Sequence, residues 1–222
     1  MKITVLCSSR AHPVFPHLER WRAAQADRHQ VALVEAVAQV EALGRGDILF
    51  LISCHEILPP RLRALYRAAL VIHASDLPRG RGWSPLVWQI LEGRNDIPVT
   101  LLEAADPVDS GAIWHQVWLH FQGHELVDEI HAALFAAELE LMDYAVANLG
   151  SVCPRPQIGE PSHYRRRLPE DSRLDPKRSL AEQFNLLRVA DPDRYPAFFD
   201  HLGQRYALRI SKMEPQADPH EP

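Results

Sequence analysis

Two residues in this chain have side chains suited to moving protons, and both follow apolar runs. His73 ends the run Ala69-Leu70-Val71-Ile72 and is followed by Ala74-Ser75-Asp76-Leu77-Pro78-Arg79-Gly80-Arg81-Gly82. Asp109-Ser110-Gly111 comes after the run from Pro98 to Glu103 and the segment Ala104-Ala105-Asp106-Pro107-Val108. Proline and glycine after each run turn the backbone sharply. In an open α/β sheet, neighbouring strands deliver their next residues into one crevice. A His and an Asp that meet there can manage the charge and protons of an acyl transfer. Taken singly, His73 is also readable as a half-buried histidine at a strand end, and Asp109 as a turn residue.

The elements that would position this pair are legible in the hydrophobic pattern. Ile3-Thr4-Val5-Leu6-Cys7, Val31-Ala32-Leu33-Val34, Asp47 to Ile52, Ala69 to Ile72, Pro98 to Glu103 and Ile113 to Phe121 read as strands. The last is partly alternating and suits a sheet edge. Helices are expected over about 15–27, from Pro59-Pro60 through Arg67, over about 84–92, and over 124–149. Val127, Ile130, Leu134, Ala137, Leu141 and Tyr144 give the last helix one apolar stripe. Strands alternating with helices imply right-handed crossovers in a mostly parallel sheet. The fold class is therefore α/β, with a Rossmann-like, mostly parallel sheet and helices on both faces.

After Val152 the texture changes. Pro154, Pro156, Gly159, Pro161 and Pro169 indicate an extended linker. A helix is expected over 179–189, with Ser179 and Glu182 as a capping box. Ala197-Phe198-Phe199 and Arg205 to Ile210 flank His201-Leu202-Gly203-Gln204 as a hairpin, and the last dozen residues read as a frayed tail. The domain division is 1–150 for the catalytic unit and 151–222 for a linker, helix and hairpin extension.

Composition narrows the function. The chain has 222 residues, 46% of them hydrophobic, and a formal net charge of −5, which gives no footprint for a nucleic-acid partner. No apolar stretch approaches the ~20 residues that span a bilayer. The N-terminus lacks the apolar core and cleavage site of a signal peptide, so a cytoplasmic location is expected. Cys7, Cys54 and Cys153 are odd in number and fit neither a disulfide nor a zinc pattern, and Cys7 and Cys54 read as buried thiols. His124, Asp128 and His131 share a helix face, but the spacing belongs to no known metal motif, and no metal is expected.

The two loops together resemble the formyltransferase family that uses 10-formyltetrahydrofolate. Its pattern runs Asn-x-His-x-Ser-x-Leu-Pro-x-x-x-Gly and then Asp-x-Gly. Every element is matched by Val71 to Gly82 and Asp109 to Gly111 except the first, where Val71 replaces Asn. The tail is similar too. Arg166-Arg167-Leu168-Pro169-Glu170-Asp171-Ser172 with Leu174-Asp175, Phe184-Asn185-Leu186-Leu187-Arg188 and Tyr195-Pro196-Ala197-Phe198 resemble the segment carried by the methionyl-tRNA, amino-arabinose and nucleotide-sugar members. The glycinamide ribonucleotide member does not carry it in this form. The methionyl-tRNA member normally adds a β-barrel domain and a basic surface, which leaves the nucleotide-sugar branch as the better match.

The resemblance implies a transfer of formyl from 10-formyltetrahydrofolate to the primary amine of a nucleotide-linked amino sugar. His73 would stabilise the charge on the formyl oxygen and Asp109 would support it. The pterin would lie between Glu56-Ile57-Leu58 and Ala104-Ala105-Asp106-Pro107-Val108. Ser8, Arg10 and His12 after the first strand, and Asp76, Arg79, Gly80 and Arg81 in the His loop, would hold the diphosphate. Phe198 in the hairpin would stack a nucleobase. The family Asn donates a hydrogen bond to the formyl oxygen, and losing one such donor costs about 10²–10³ in rate. Ser53, His55 or Ser75 could replace it. Two alternatives stand beside this reading: a folate or nucleotide-sugar binding protein with lost or weak transfer, and a formyltransferase for another small amine. The hairpin and linker could also form a homodimer contact.

Overall fold

The computed structural model describes residues 1–213. Its main sheet has six strands in the order β2-β1-β3-β4-β6-β7. They are β1 (Lys2–Leu6), β2 (Gln30–Val34), β3 (Gly46–Leu51), β4 (Tyr66–His73), β6 (Asp96–Glu103) and β7 (Ile113–His120). The first four are parallel. On one face lie α1 (Phe15–Gln25), α4 (Pro85–Leu91) and α5 (Val127–Asn148), and on the other α2 (Val37–Leu43) and α3 (Pro60–Arg63). Alternation along β4 feeds both cores: Ala68 and Leu70 join the first, while Ala69 and Val71 join the second. Val71 and His73 therefore share the α2/α3 side of the sheet.

β6 is antiparallel to β4, and β7 to β6. The expectation of a parallel fifth strand fails at this point. α4 has seven residues and is about 10 Å long at 1.5 Å per residue. The eight-residue β4 is about 26 Å long. So short a helix cannot carry the chain back along the strand, and β6 sets off from the near end. Its pairing runs from His73 with Thr100 down to Leu70 with Glu103. The segment that holds Asp109 thus begins beside the middle of β4, where the Ala104 N–H donates to the Ala69 carbonyl, and folds back along the sheet face toward His73.

Other elements are shorter than expected. α3 stops at Arg63 because β4 already begins at Tyr66. The helix expected over 179–189 is a 3-10 turn (Ala181–Gln183) and then α6 (Phe184–Arg188); Ser179 and Glu182 do bond each other there, Oγ to carboxylate, at 2.9 Å. The hairpin is present as β9 (Ala197–His201) and β10 (Gln204–Leu208). Much of the expected frayed tail lies outside the described residues. Arg188, 1% exposed, fixes the extension to the sheet unit: its Nη2 donates to Asn95 at 3.0 Å, and Glu125 stands 3.7 Å from its Nη1. Among the described residues no helix is long and apolar enough to cross a membrane.

The segment after Val152 is not a loose linker. Residue 155 bridges Ile113 at the start of β7. β5 (Arg81–Gly82) pairs with β8 (His163–Tyr164). The segment straps the His loop and the Asp loop together.

Candidate active site

The strap, β4 and the loop after β6 converge on His73 and Asp109, which are 7% and 8% exposed. His73 Nδ1 lies 3.8 Å from Asp109 Oδ1. That is too long for a hydrogen bond, so both atoms keep capacity for a third group beside them. The other imidazole nitrogen, Nε2, is 2.8 Å from the Gly80 carbonyl. Each ring nitrogen thus has an oxygen in front of it, a carboxylate at Nδ1 and a backbone carbonyl at Nε2. The Gly82 N–H donates to Asp109 Oδ2 at 2.9 Å, and fixes the carboxylate with Oδ1 toward the imidazole.

The backbone here tolerates little change. Asp109 has a φ of +59° and Gly82 of +98°, the left-handed region that disfavours most side chains. A Cβ on Gly82 would meet the Tyr164 carbonyl oxygen at 2.4 Å, and one on Gly111 the Glu103 carbonyl oxygen at 1.8 Å. The two glycines allow the strap and the Asp loop to close on their neighbours.

Gln157 was not singled out by the sequence, and it is central. Its Nε2 donates to the carbonyls of Asp109 (2.8 Å) and Gly111 (2.9 Å), and its Oε1 accepts from Arg81 Nη2 at 2.6 Å. Ser162 Oγ accepts from the Gly80 N–H at 2.9 Å. Tyr164 packs beside Gly80 and donates to Glu92; burial and that carboxylate push its phenol up to about 12. No motif distinguishes these residues in a proline-rich stretch, where polar side chains ordinarily face water.

Beside the pair, on the same sheet face, Leu58, Cys54, Val71 and Ala104 belong to one apolar cluster. Ile57 and Val108 are exposed apolar side chains, at 74% and 57%. Arg63 forms an ion pair with Asp106, which joins the end of α3 to the Ala104–Asp109 segment. Glu56 accepts from the Val37 N–H at 3.2 Å. Leu58 and Ala104, one from each of segments 56–58 and 104–108, share this apolar floor with Val71. Ala105 lies between Ala104 and Asp106, partly buried.

The three residues considered as replacements for the family Asn differ in availability. Ser75 is 1% exposed and its Oγ has no partner among the described residues. Ser53 has a φ of +48° at the turn after β3. His55 is exposed; its N–H donates to Ser8 Oγ at 2.9 Å and its ring is 6.2 Å from that of Trp83. Ser8 joins the β1 and β3 ends.

Among the residues expected to hold diphosphate, Arg10 pairs with Glu35 and Arg79 with Asp76, both in exposed ion pairs. Arg81 turns inward to Gln157. His12 is largely buried, its Nδ1 accepting from the Val14 N–H at 3.2 Å. Burial, and then Arg194, His131 and His55, push its ring down to about 4. Phe198 is 6% exposed, with the Arg205 and Arg173 guanidiniums over its ring at 4.1 and 5.1 Å. Phe199 and Tyr206 stack on each other. The structure therefore brings the hairpin aromatics to one another and to arginines. Cys7 is buried, Cys54 partly so, and Cys153 exposed. No group of three metal-ligating side chains occurs among the described residues.

The formyl transferase family model matches residues 3–146, the whole sheet and nearly all of α5. The chain belongs to the formyl transferase family. Its members are transferases of one-carbon groups, and the pair of loops at His73 and Asp109 lies inside the matched span. Solved structures share the fold beyond it. Methionyl-tRNA formyltransferase from Clostridium thermocellum superposes with a TM-score of 0.81 at 19% identity, covering 96% of this chain and 94% of that one. A sugar N-formyltransferase from Shewanella sp gives 0.73 at 17%, covering 97% and 99%. HypX from Aquifex aeolicus, solved with tetrahydrofolic acid, gives 0.77 at 21%; it is covered over 40% of its length by the whole of this formyl transferase.

Proposed function

We propose that this protein transfers a formyl group from 10-formyltetrahydrofolate to the primary amine of a nucleotide-linked amino sugar. The observation that carries the reading is the His73–Asp109 pair, buried and strapped in place beside an apolar floor. The donor's pterin fits between segments 56–58 and 104–108, where apolar walls meet peptide N–H and C=O groups. Bound there, the donor supplies the formyl carbon for attack by an amine. Charge then grows on the formyl oxygen, and a proton donor at His73 Nδ1 stabilises it. Asp109 Oδ1 is placed to accept the proton lost by the amine, directly or through a water; the intermediate then collapses by breaking the bond between the formyl carbon and N10, and N10 takes up a proton and leaves as tetrahydrofolate. The Gly82 N–H and the Gly80 carbonyl hold the two side chains, and Gln157 holds the Asp109 loop by its backbone. The sugar substrate rests on the tail resemblance and on solved structures of similar length and fold described as sugar N-formyltransferases.

Val71 supports a second reading, a binding protein with weak transfer, because an isopropyl group stands where a donor is expected. Ser75 Oγ, buried and unpartnered, is the group best suited to replace that donor. One assay separates the two readings. The protein is mixed with 10-formyltetrahydrofolate and a panel of nucleotide-linked amino sugars, and release of tetrahydrofolate is followed. Turnover with at least one sugar, lost in His73→Gln, is expected. Tight folate binding with no turnover on any amine would establish the binding protein.

A further inference from the structure

Three consecutive arginines end the strap, and they are not equivalent. Arg165 pairs with Asp171, and its guanidinium lies 4.9 Å from the Trp88 ring. Arg167 is partly buried, and its Nη2 donates to the Asp171 carbonyl at 3.1 Å and to Ser172 Oγ at 3.3 Å. Arg166 is exposed and makes no ion pair among the described residues; its guanidinium lies 5.1 Å from the Trp83 ring. A cation over an exposed aromatic face is held only weakly. The guanidinium is therefore available to a phosphate, which its fork of donors matches.

Trp83 is 43% exposed and belongs to none of the apolar clusters, so core packing does not account for an indole at this position. It directly follows Gly82, whose N–H is bonded to Asp109, and its own N–H donates to the Tyr164 carbonyl at 3.1 Å. The backbone is thus fixed on both sides, and the indole stands at the rim of the catalytic pair. Across from it is His55, with ring centroids 6.2 Å apart and planes tilted by 35°. His55 follows β3, the neighbour of the strand that carries His73. Its ring is exposed and has no hydrogen-bond partner among the described residues. An open aromatic face, a cation without a counter-charge and an uncommitted imidazole therefore meet beside Asp109, each from a different segment.

We infer that Trp83 and Arg166 select the acceptor: the indole carries the amino sugar ring, and the guanidinium pairs with the phosphate on that sugar's anomeric carbon. The order of groups decides which part goes where. The amine must reach Asp109, and Trp83 is the next residue after the one that holds Asp109, so the group resting on Trp83 is the one that bears the amine. The C–H face of a sugar ring packs on an indole plane. The phosphate is the next group along the acceptor, and Arg166 is the next side chain out from Trp83. His55, on the opposite side, hydrogen-bonds a ring hydroxyl. This rests on the acceptor being a nucleotide-linked amino sugar, and it adds which residues distinguish that acceptor from a free amine.

The test compares, for the full chain, transfer to the nucleotide-linked amino sugar that turns over best with transfer to the same amino sugar without its nucleotide. The wild type should prefer the linked sugar in kcat/KM. Arg166→Ala should narrow that preference by about tenfold, the worth of a charge-assisted bond, through the KM of the linked sugar. Trp83→Leu should lower kcat/KM for both sugars by about tenfold, the worth of one stacked ring. Trp83→Phe keeps an aromatic face and should recover most of that loss. Wild-type kcat/KM for the linked sugar in both Arg166→Ala and Trp83→Leu would overturn the assignment and leave the proposed function standing. A rise in the KM of the donor in place of the acceptor would give Arg166 to the glutamate tail of the folate, and overturn it equally. A wild type that binds 5-formyltetrahydrofolate and turns over none of the linked sugars would overturn the proposed acceptor itself, and this assignment with it.

Discussion

His73 and Asp109 act as a unit because each is held by a third group, and this makes their variants informative. Asp109→Asn keeps an oxygen to accept from the Gly82 N–H but removes the charge and the proton acceptor. His73→Gln keeps a donor for the Gly80 carbonyl and removes the imidazole nitrogen that faces Asp109. Each is expected to lower the transfer rate by about 10²–10⁴, the usual worth of a positioned acid–base group. Melting temperature and folate-analogue affinity should remain close to wild type; a rate within threefold of wild type would remove the residue from the chemistry. Val71 is a different case. Its side chain packs with Leu58 and Ala104 on one side and with Leu77, Leu102 and Ile113 on another. Val71→Asn would place an amide among apolar groups and is expected to cost about 1–3 kcal/mol, the penalty of an unsatisfied buried polar group, measured by urea unfolding. No gain in transfer rate is expected, because the amide would be set among the partly buried apolar side chains of the floor rather than held toward His73. A gain would show that the formyl oxygen lacks a donor in the wild type.

The elements explain why these two loops meet, and also how far the sequence could disclose it. Apolar runs identified β1, β3, β4 and β7, and the stripe on α5 placed that helix, because long periodic burial leaves a pattern in single residues. α2 went unread: Val37–Leu43 is only two turns, with Val40 its one fully buried side chain. The reversal of β6 was equally hidden, since apolar texture is the same for a strand of either direction and only the length of α4 decides. The strap was the largest omission. Its prolines suggested an open linker, yet Gln157, Ser162 and Tyr164 close the site through hydrogen bonds and a two-residue ladder that leave no periodic trace. The His and Asp themselves were legible because turn residues follow each of them. Two variants test the strap. Gln157→Ala removes both bonds to the Asp109 loop and should cut the rate about 10- to 100-fold, as loss of a positioning partner does, with KM for the donor raised. Gly82→Ala must push β5 away from β8, since its Cβ would stand 2.4 Å from the Tyr164 carbonyl oxygen, and should lower both activity and melting temperature. If Gln157→Ala has wild-type kinetics, the strap is structural only.

At the scale of the whole molecule, stability is set by how the extension and α5 close over the sheet, and that closure buries ionisable groups without partners. Glu138 on α5 lies in the core with Oε2 unpartnered, and burial raises its carboxyl from the ordinary 4.5 to about 8. His12, where α5 meets the start of α1, is driven the other way, from 6.5 to about 4. The signs follow from which state holds the proton. A raised Glu138 contributes its full stability below pH 4.5 and loses it as pH rises toward 8, because the unfolded chain ionises first. A lowered His12 contributes its stability above pH 6.5 and loses it as pH falls toward 4. Between 4.5 and 6.5 the two slopes oppose each other, and His131, also lowered by burial, adds to the rising one, so stability should not fall there. From 6.5 to 8 Glu138 acts alone, and at about 1.4 kcal/mol per pH unit the loss is about 2 kcal/mol. Urea unfolding at pH 5.5, 6.5 and 8 is therefore expected to show no loss up to pH 6.5 and then a fall. Glu138→Gln, which cannot ionise, should abolish the fall and be more stable than wild type at pH 8. An equal fall in the variant would mean that Glu138 is already ionised in the folded protein, with a partner or water beside Oε2.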